Sequence, residues 1–250
     1  MTAATPSPRT LYVHDDLSDR LRALGDTSRS WDLGQALFTL LRGDPGRIVI
    51  LTLGEQIAGL VAGGAHAPFP AAVGIGAAGV RVAEAVHART GWFPSIHRVD
   101  LWREEDDDGG YALTGPAPLA SQLDALPAGG PVAVVDDTIF SGLTMRAVLE
   151  ALRPRTDRVH AFCLRAVAES LPSVAELAPV TAGFAAPGRI LTDVSFINAS
   201  GLVTPGAIRR SNRPSLAFHD RPEWMQAWFP TTHAEITTLC RELAAELQGR

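Results

Sequence analysis

Between residues 47 and 167, short continuous apolar runs alternate with segments of helical spacing, and few folds accept that rhythm. RIVILTL (47–53), AAVGIG (71–76), PSIHRVDLW (94–102), PVAVVDD (131–137) and RVHAFCLRAV (158–167) read as strands. The most apolar of them carry no polar alternation, as expected of strands buried on both faces. GEQIAGLVAGG, VRVAEAVHART and GLTMRAVLEAL lie between them with helical spacing. Strand–helix alternation implies βαβ units and an α/β fold: a Rossmann-like parallel sheet with flanking helices. The expected organisation is an N-terminal elaboration at 1–46, a core at 47–167 and a C-terminal elaboration at 168–250.

The flanks read differently. Residues 1–10 look like a loose arm, and RTLYVHDDL is a short strand candidate. In SWDLGQALFTLLRG, Trp31, Leu33, Leu37 and Leu40 fall near one helical face, with Ser30 as the expected cap and Gly43 as the stop. The last eighty or so residues break the βα rhythm. They close on the helix TTHAEITTLCRELAAELQ, with Thr231 or Thr232 as N-cap.

Composition excludes several function classes. The net charge is −5, where a binder of nucleic-acid phosphates shows a basic face. The chain has no lysine, so any bound phosphate must be met by Arg, hydroxyls or backbone N–H groups. No apolar run approaches the ~20 residues of a membrane span, and the start MTAATPSPRT has no signal-peptide pattern. Cys163 and Cys240 stand far apart. A reduced, cytoplasmic setting is the expectation. His14, His97, His160 and His219 form no metal-spaced pair.

The chemistry concentrates in Val134-Val135-Asp136-Asp137-Thr138-Ile139-Phe140-Ser141-Gly142-Leu143-Thr144. A buried strand carries two adjacent carboxylates to its end, and a turn of small and hydroxyl residues opens a helix. Ligands of parallel α/β sheets bind beyond the carboxyl ends of the strands. A helix N-terminus offers free N–H groups and partial positive charge to a phosphate. Ser141 and Thr144 add hydroxyls, and Gly142 lets the backbone approach closely. Two carboxylates suit ribose hydroxyls, a divalent ion or a sugar gaining positive charge. The alternative is an ordinary strand–turn–helix with a solvated Asp-Asp turn. No Gly-x-Ser-x-Gly elbow surrounds Ser141, so it is not read as a hydrolase nucleophile.

This segment closely resembles the signature of type I phosphoribosyltransferases, which bind 5-phosphoribosyl-1-pyrophosphate (PRPP). Phe140 departs from it, standing where the family often has a small hydroxyl residue. The resemblance covers residues 70–167 well and the termini poorly. It implies the type I phosphoribosyltransferase fold with a variable hood, and transfer of the phosphoribosyl group with release of pyrophosphate. Asp136 and Asp137 would contact the ribose hydroxyls and Mg2+, with Asp137 as general base. Thr138, Phe140, Ser141, Gly142, Leu143 and Thr144 would contact PRPP, the last five wrapping its 5-phosphate. The long C-terminal region also resembles phosphoribosyltransferase-like proteins of specialised metabolism.

Two further stretches follow from the same resemblance. Gly74-Ile75-Gly76-Ala77-Ala78-Gly79 lies between a strand and a helix, where the family binds pyrophosphate through backbone N–H groups. Thr52-Leu53-Gly54-Glu55 rivals it, also following an apolar strand. Gly-x-Gly-x-x-Gly also belongs to dinucleotide folds, and Asp100 stands near the offset of their ribose-binding acid. Close helix–strand packing is the structural alternative. The second stretch, Arg98 to Pro118, resembles the loop that closes over the family's active site. Arg103 is its candidate PRPP ligand, and Tyr111 and Thr114 are weaker ones. The acidic run Glu104–Asp108 would face solvent, Mg2+ or a cationic acceptor.

The acceptor is not identified by any residue pattern; a nucleobase or a specialised metabolite are both open. Asp193, Asn198 and Arg209 are candidate contacts, and Trp224 and Trp228 could stack on it or pack in a core. Family members are often dimers, so a homodimer is the expectation. A PRPP-sensing protein of the same fold without turnover is the alternative function.

Overall fold

The computed structural model describes residues 10–25, 28–63, 69–106, 110–126, 129–156, 158–188 and 195–249. They form two compact units: one from the chain up to Leu53 and from Gly188 onward, the other from Gly54–Pro187.

The chain begins in the first unit with β1 (Leu11–Asp15), α1 (Ser18–Ala23), α2 (Arg29–Arg42) and β2 (Ile48–Thr52). Ser28 caps α2, its hydroxyl accepting from Trp31 N at 3.2 Å. The expected cap, Ser30, is instead buried inside the first turn. Gly43 ends this helix as expected.

The second unit follows with α3 (Leu53–Gly63), β3 (Ala71–Ile75), α4 (Gly76–Thr90), β4 (Ser95–Val99), β5 (Trp102–Glu105), β6 (Tyr111–Thr114) and α5 (Leu119–Gln122). It continues through β7 (Val132–Ile139), α6 (Leu143–Leu152), β8 (Val159–Val167), α7 (Leu171–Ala175) and β9 (Val180–Ala186). Its sheet has the order β4-β3-β7-β8-β9, every pair parallel. The strand period of two divides the core. Val73, Ile75, Val132 and Val134 face α6 residues Met145, Val148 and Leu149. Ala72, Ala133, Val135 and Phe162 face Ile57 and Leu60 of α3 and Val82 and Val86 of α4. Helices therefore cover both faces, which explains the continuous apolar runs. β5 and β6 pair as an antiparallel hairpin, Trp102 opposite Thr114.

The chain returns to the first unit with β10 (Phe196–Asn198), α8 (Ala199–Val203), β11 (Ile208–Arg210), β12 (Arg213–Leu216), α9 (Pro222–Trp228) and α10 (His233–Gln248). Here β10-β1-β2 form a three-stranded parallel sheet. Asp15 accepts from Ser18 N at 2.9 Å at the start of α1, and Asp16 from Ser200 N at 2.7 Å in α8. Thr232 stands at the N-cap of α10, without a side-chain cap bond. Among the described residues no helix is long and apolar enough to cross a membrane.

Three readings are corrected. The run 47–53 does not head the central sheet: its strand pairs with β1 in the other unit, because an apolar run does not name its partner. The segment 94–102 is two elements, β4 ending at Val99 and the hairpin starting at Trp102. The fifth central strand is β9, hidden in the small residues VTAGFAA, so the core unit runs beyond 167 to Pro187.

Candidate functional site

The order of the central sheet fixes where a ligand can sit. From β3 the chain crosses through α4 to β4 on one side; from β7 it crosses through α6 to β8 on the other. Those helices lie on opposite faces, so a crevice opens at the carboxyl ends of β3 and β7, where α/β sheets bind ligands. Gly74 is paired with Val135, which sets the Gly-x-Gly-x-x-Gly turn beside the Asp-Asp pair.

Each glycine of that turn has its own reason. Gly76 takes φ +59°, a conformation L side chains rarely adopt, and a Cβ there would meet open space. A Cβ on Gly79 would overlap the Val135 carbonyl and come 3.3 Å from Asp136 Cα, so α4 lies directly against β7 at the carboxylates. A Cβ on Gly74 would lie 2.7 Å from Val80 N. Gly74 and Gly79 thus serve close packing, the structural alternative weighed above. Gly76, Ala77 and Ala78 leave the first turn of α4 facing the crevice end, with Ala77 exposed. Ile75 is buried in the core. The rival loop 52–55 follows β2, which is not a strand of this sheet.

β7 runs further than expected, through both aspartates to Ile139. The turn is then Phe140-Ser141-Gly142. Gly142 takes φ +77°, and a Cβ there would press on Val174 at 3.1 Å. Ser170 donates to the Phe140 carbonyl at 2.6 Å and pins the turn from behind. Leu143 opens α6, its N–H reaching the Ser141 hydroxyl at 3.4 Å, and Thr144 lies in the first turn. The first turns of α4 and α6 thus both start at adjacent strand ends, and each directs N–H groups and partial positive charge there.

Asp136 is buried, and its carboxylate accepts from Asp137 N at 2.8 Å. Burial first, and then the neighbouring Asp137 charge, hold its pKa well above the usual carboxylate range. Asp137 is partly exposed, and its carboxylate is engaged: Arg165 donates to it at 2.9 Å and the Thr138 hydroxyl at 3.2 Å. Thr138, expected to touch PRPP, accepts from Arg165 Nη2 at 2.7 Å. Arg165 also donates to Gln56 Oε1 at 3.2 Å. Cys163, paired across the strands with Asp136, is buried and its thiol is pushed strongly up, which removes it as a nucleophile. Burial likewise pushes Cys240 up to about 12.

Arg103, on β5, has its guanidinium 4.2 Å from the Tyr111 ring centre and 5.5 Å from that of Phe140. Phe140 therefore links the turn to the hairpin by a cation–π contact. Burial lowers the Arg103 pKa. Among the described residues no carboxylate pairs with it. Arg98 is bound to Asp100 at 2.6 Å, so Asp100 is not held ready for a dinucleotide ribose. Glu104 accepts from Trp102 Nε1 at 2.9 Å, and Asp106 from Gly110 N at 2.6 Å, which closes the hairpin. Asp107, Asp108 and Asp193 lie outside the described residues.

The other acceptor candidates belong to the first unit. Asn198 donates to Asp16 and to the Ser200 hydroxyl, at 3.2 and 2.9 Å. Arg209 lies on β11. Trp224 and Trp228 are buried and pack with Phe218, which is core packing. Sequence reasoning missed Arg165, Gln56 and Ser170. The one signal was the lone cation in VHAFCLRAV, in a strand otherwise buried and nearly all apolar.

No protein-family profile matches the chain, and no curated protein matches it. Solved structures do. The chain is similar to a hypothetical protein from Neisseria gonorrhoeae with bound ppGpp, at 20% identity over 58% of this chain and 81% of that one, TM-score 0.45. It is similar to a purine phosphoribosyltransferase from Pyrococcus horikoshii, at 15% identity over 60% and 91%, TM-score 0.42. It is also similar to orotate phosphoribosyltransferase from Aeropyrum pernix, at 20% identity over 53% and 70%, TM-score 0.38. At these identities and scores the likeness stops short of a family assignment.

Proposed function

We propose that this chain binds PRPP at the carboxyl ends of β3 and β7 and transfers its phosphoribosyl group to a small-molecule acceptor, releasing pyrophosphate. One observation carries the reading: a carboxylate pair lies between two helix first turns at the switch point of a parallel sheet. That arrangement offers one anion cradle on each side of a sugar-sized group of acceptors. The 5-phosphate would sit at Ser141–Thr144. The pyrophosphate would sit at Gly76–Gly79, and Arg103, held beside Phe140, would supply the charge that lysine cannot.

In transfer, the bond from ribose C1 to pyrophosphate oxygen breaks, a bond from the acceptor to C1 forms, and the acceptor's proton passes to solvent. Asp137, held by Arg165, would orient the ribose and face the positive charge growing on its ring. The first turn of α4 and Arg103 would stabilise the departing anion. Holding both reactants would supply much of the rate. The residues fit Mg2+ as a partner of the ligand. Two adjacent carboxylates are present, and among the described residues no group of three His, Cys, Asp or Glu could hold an ion alone. Mg2+ commonly takes one or two protein carboxylates and completes its shell from substrate phosphates. Asp136 and Asp137 would hold it there, where it would neutralise charge on the pyrophosphate.

A second reading, a PRPP-binding protein without turnover, is favoured by the engagement of Asp137 with Arg165 and Thr138, which opposes its expected role as general base. Pyrophosphate release from PRPP across a panel of nucleobases, amines and hydroxyl acceptors separates the two. Release that is lost in the double variant Asp136→Asn, Asp137→Asn supports transfer. Tight PRPP binding with no release supports the second reading, and undiminished release by the double variant refutes the site.

A further inference from the structure

Arg165 is the least expected side chain of the second unit. It is 2% exposed, in a strand whose neighbours Cys163, Leu164, Ala166 and Val167 are buried and apolar. Burying a guanidinium costs free energy even when it is paired, and apolar residues in place of a buried ion pair are often as stable or more so. Packing alone therefore does not explain a cation here. Its hydrogen bonds are directed: Nε and Nη2 converge on the Thr138 hydroxyl at 3.1 and 2.7 Å, Nη2 reaches Asp137 at 2.9 Å, and Nη1 reaches Gln56 at 3.2 Å. Thr138 completes a ring by donating to the same Asp137 oxygen that Arg165 binds. The planar fork of arginine can serve three acceptors in one plane, where the point charge of lysine cannot reproduce the geometry.

We infer that Arg165 is a positioning residue, which with Thr138 and Gln56 clamps one side of the Asp137 carboxylate and so fixes the side it turns to the ligand's hydroxyls. The inference rests on the reading that the end of β7 takes the sugar. A carboxylate held from behind by a guanidinium does not rotate, which suits it to orient a vicinal diol. Thr138 thereby acts through Asp137 and not as a direct PRPP contact. The clamp touches neither cradle, so the anion affinity of the α4 turn is independent of it.

The test is calorimetric titration of wild type, Arg165→Met and Arg165→Lys with ribose 5-phosphate, PRPP plus Mg2+, and inorganic pyrophosphate, after thermal unfolding has shown each variant folded. The expected result is at least about a tenfold loss of affinity for ribose 5-phosphate and PRPP in Arg165→Met, the scale of one lost hydrogen bond to a charged group. Pyrophosphate affinity stays at the wild-type value, and Arg165→Lys recovers part of the loss. If Arg165→Met fails to fold, the contrast is read from Arg165→Lys, with a smaller loss confined to the two ribose ligands. Equal loss for all three ligands means a structural role only and overturns the inference. Wild-type affinity for ribose 5-phosphate in a folded variant also overturns it, while the PRPP reading stands. Failure of wild type to bind any of the three overturns the reading and the inference together.

Discussion

Asp137→Asn tests the ion pair without any ligand. The substitution keeps shape and an acceptor oxygen but removes the charge facing Arg165. Breaking a buried pair by removing one partner costs roughly 3–5 kcal/mol, because the other charge is left buried. Two features of this site reduce that figure. The Asp137 side chain is 35% exposed, so water already screens part of the attraction, and Thr138 and Gln56 still accept from Arg165. About 2 kcal/mol is therefore expected. For a chain of 250 residues each kcal/mol moves Tm by about 2–4 °C, so Tm falls by about 4–8 °C. Adding Arg165→Met removes the orphaned cation, and the double variant should return to within about 1 kcal/mol of wild type. Urea unfolding of the four proteins, followed by fluorescence and far-UV circular dichroism, gives the cycle. A single variant as stable as wild type, or a double variant no better than the single, would refute the reasoning.

Other outcomes follow from the same geometry. Asp136→Asn should raise Tm at pH 7: a carboxyl whose folded pKa is raised loses stability as pH climbs above its unfolded value of about 4, and the advantage of Asn should vanish below that pH. Thermal scans from pH 3.5 to 8 check this, and a pH-independent difference would contradict it. Gly142→Ala should lower stability by about 1–2 kcal/mol, since its φ of +77° suits glycine and Val174 crowds the added methyl. A value near zero would show that the turn relaxes. Phe140→Leu removes the ring beside Arg103 and should weaken pyrophosphate binding severalfold, about 0.5–1 kcal/mol, while Phe140→Tyr retains it. Equal behaviour of the two variants would separate Phe140 from Arg103.

Much of the central sheet was readable because buried parallel strands are continuous apolar runs, and β3, β7 and β8 are such runs. Asp136 and Asp137 were readable as a site because chemistry at a strand end needs adjacent residues. What failed was non-local. RIVILTL has every property of a core strand, yet nothing in it states that its partner is β1. β9 was passed over because Ala and Gly are poor strand formers by propensity. Gly183 is required there because a Cβ would lie 2.5 Å from the Gln56 carbonyl of α3, a contact visible only in three dimensions. Arg165 and Gln56 lie 109 residues apart, so their hydrogen bond leaves no spacing pattern to read. The Gly-x-Gly-x-x-Gly turn was ambiguous for a physical reason: dinucleotide and phosphoribosyl sites both need a left-handed turn and a close helix, here Gly76 and Gly79.

The most direct test of the central claim is calorimetric titration of PRPP, with and without Mg2+, into wild type and Thr144→Ala. Binding by wild type that weakens by about tenfold in Thr144→Ala, the scale of one hydroxyl bond to a phosphate, is the predicted result. No binding by wild type under either condition, or equal binding by the two proteins, would contradict a 5-phosphate held at Ser141–Thr144.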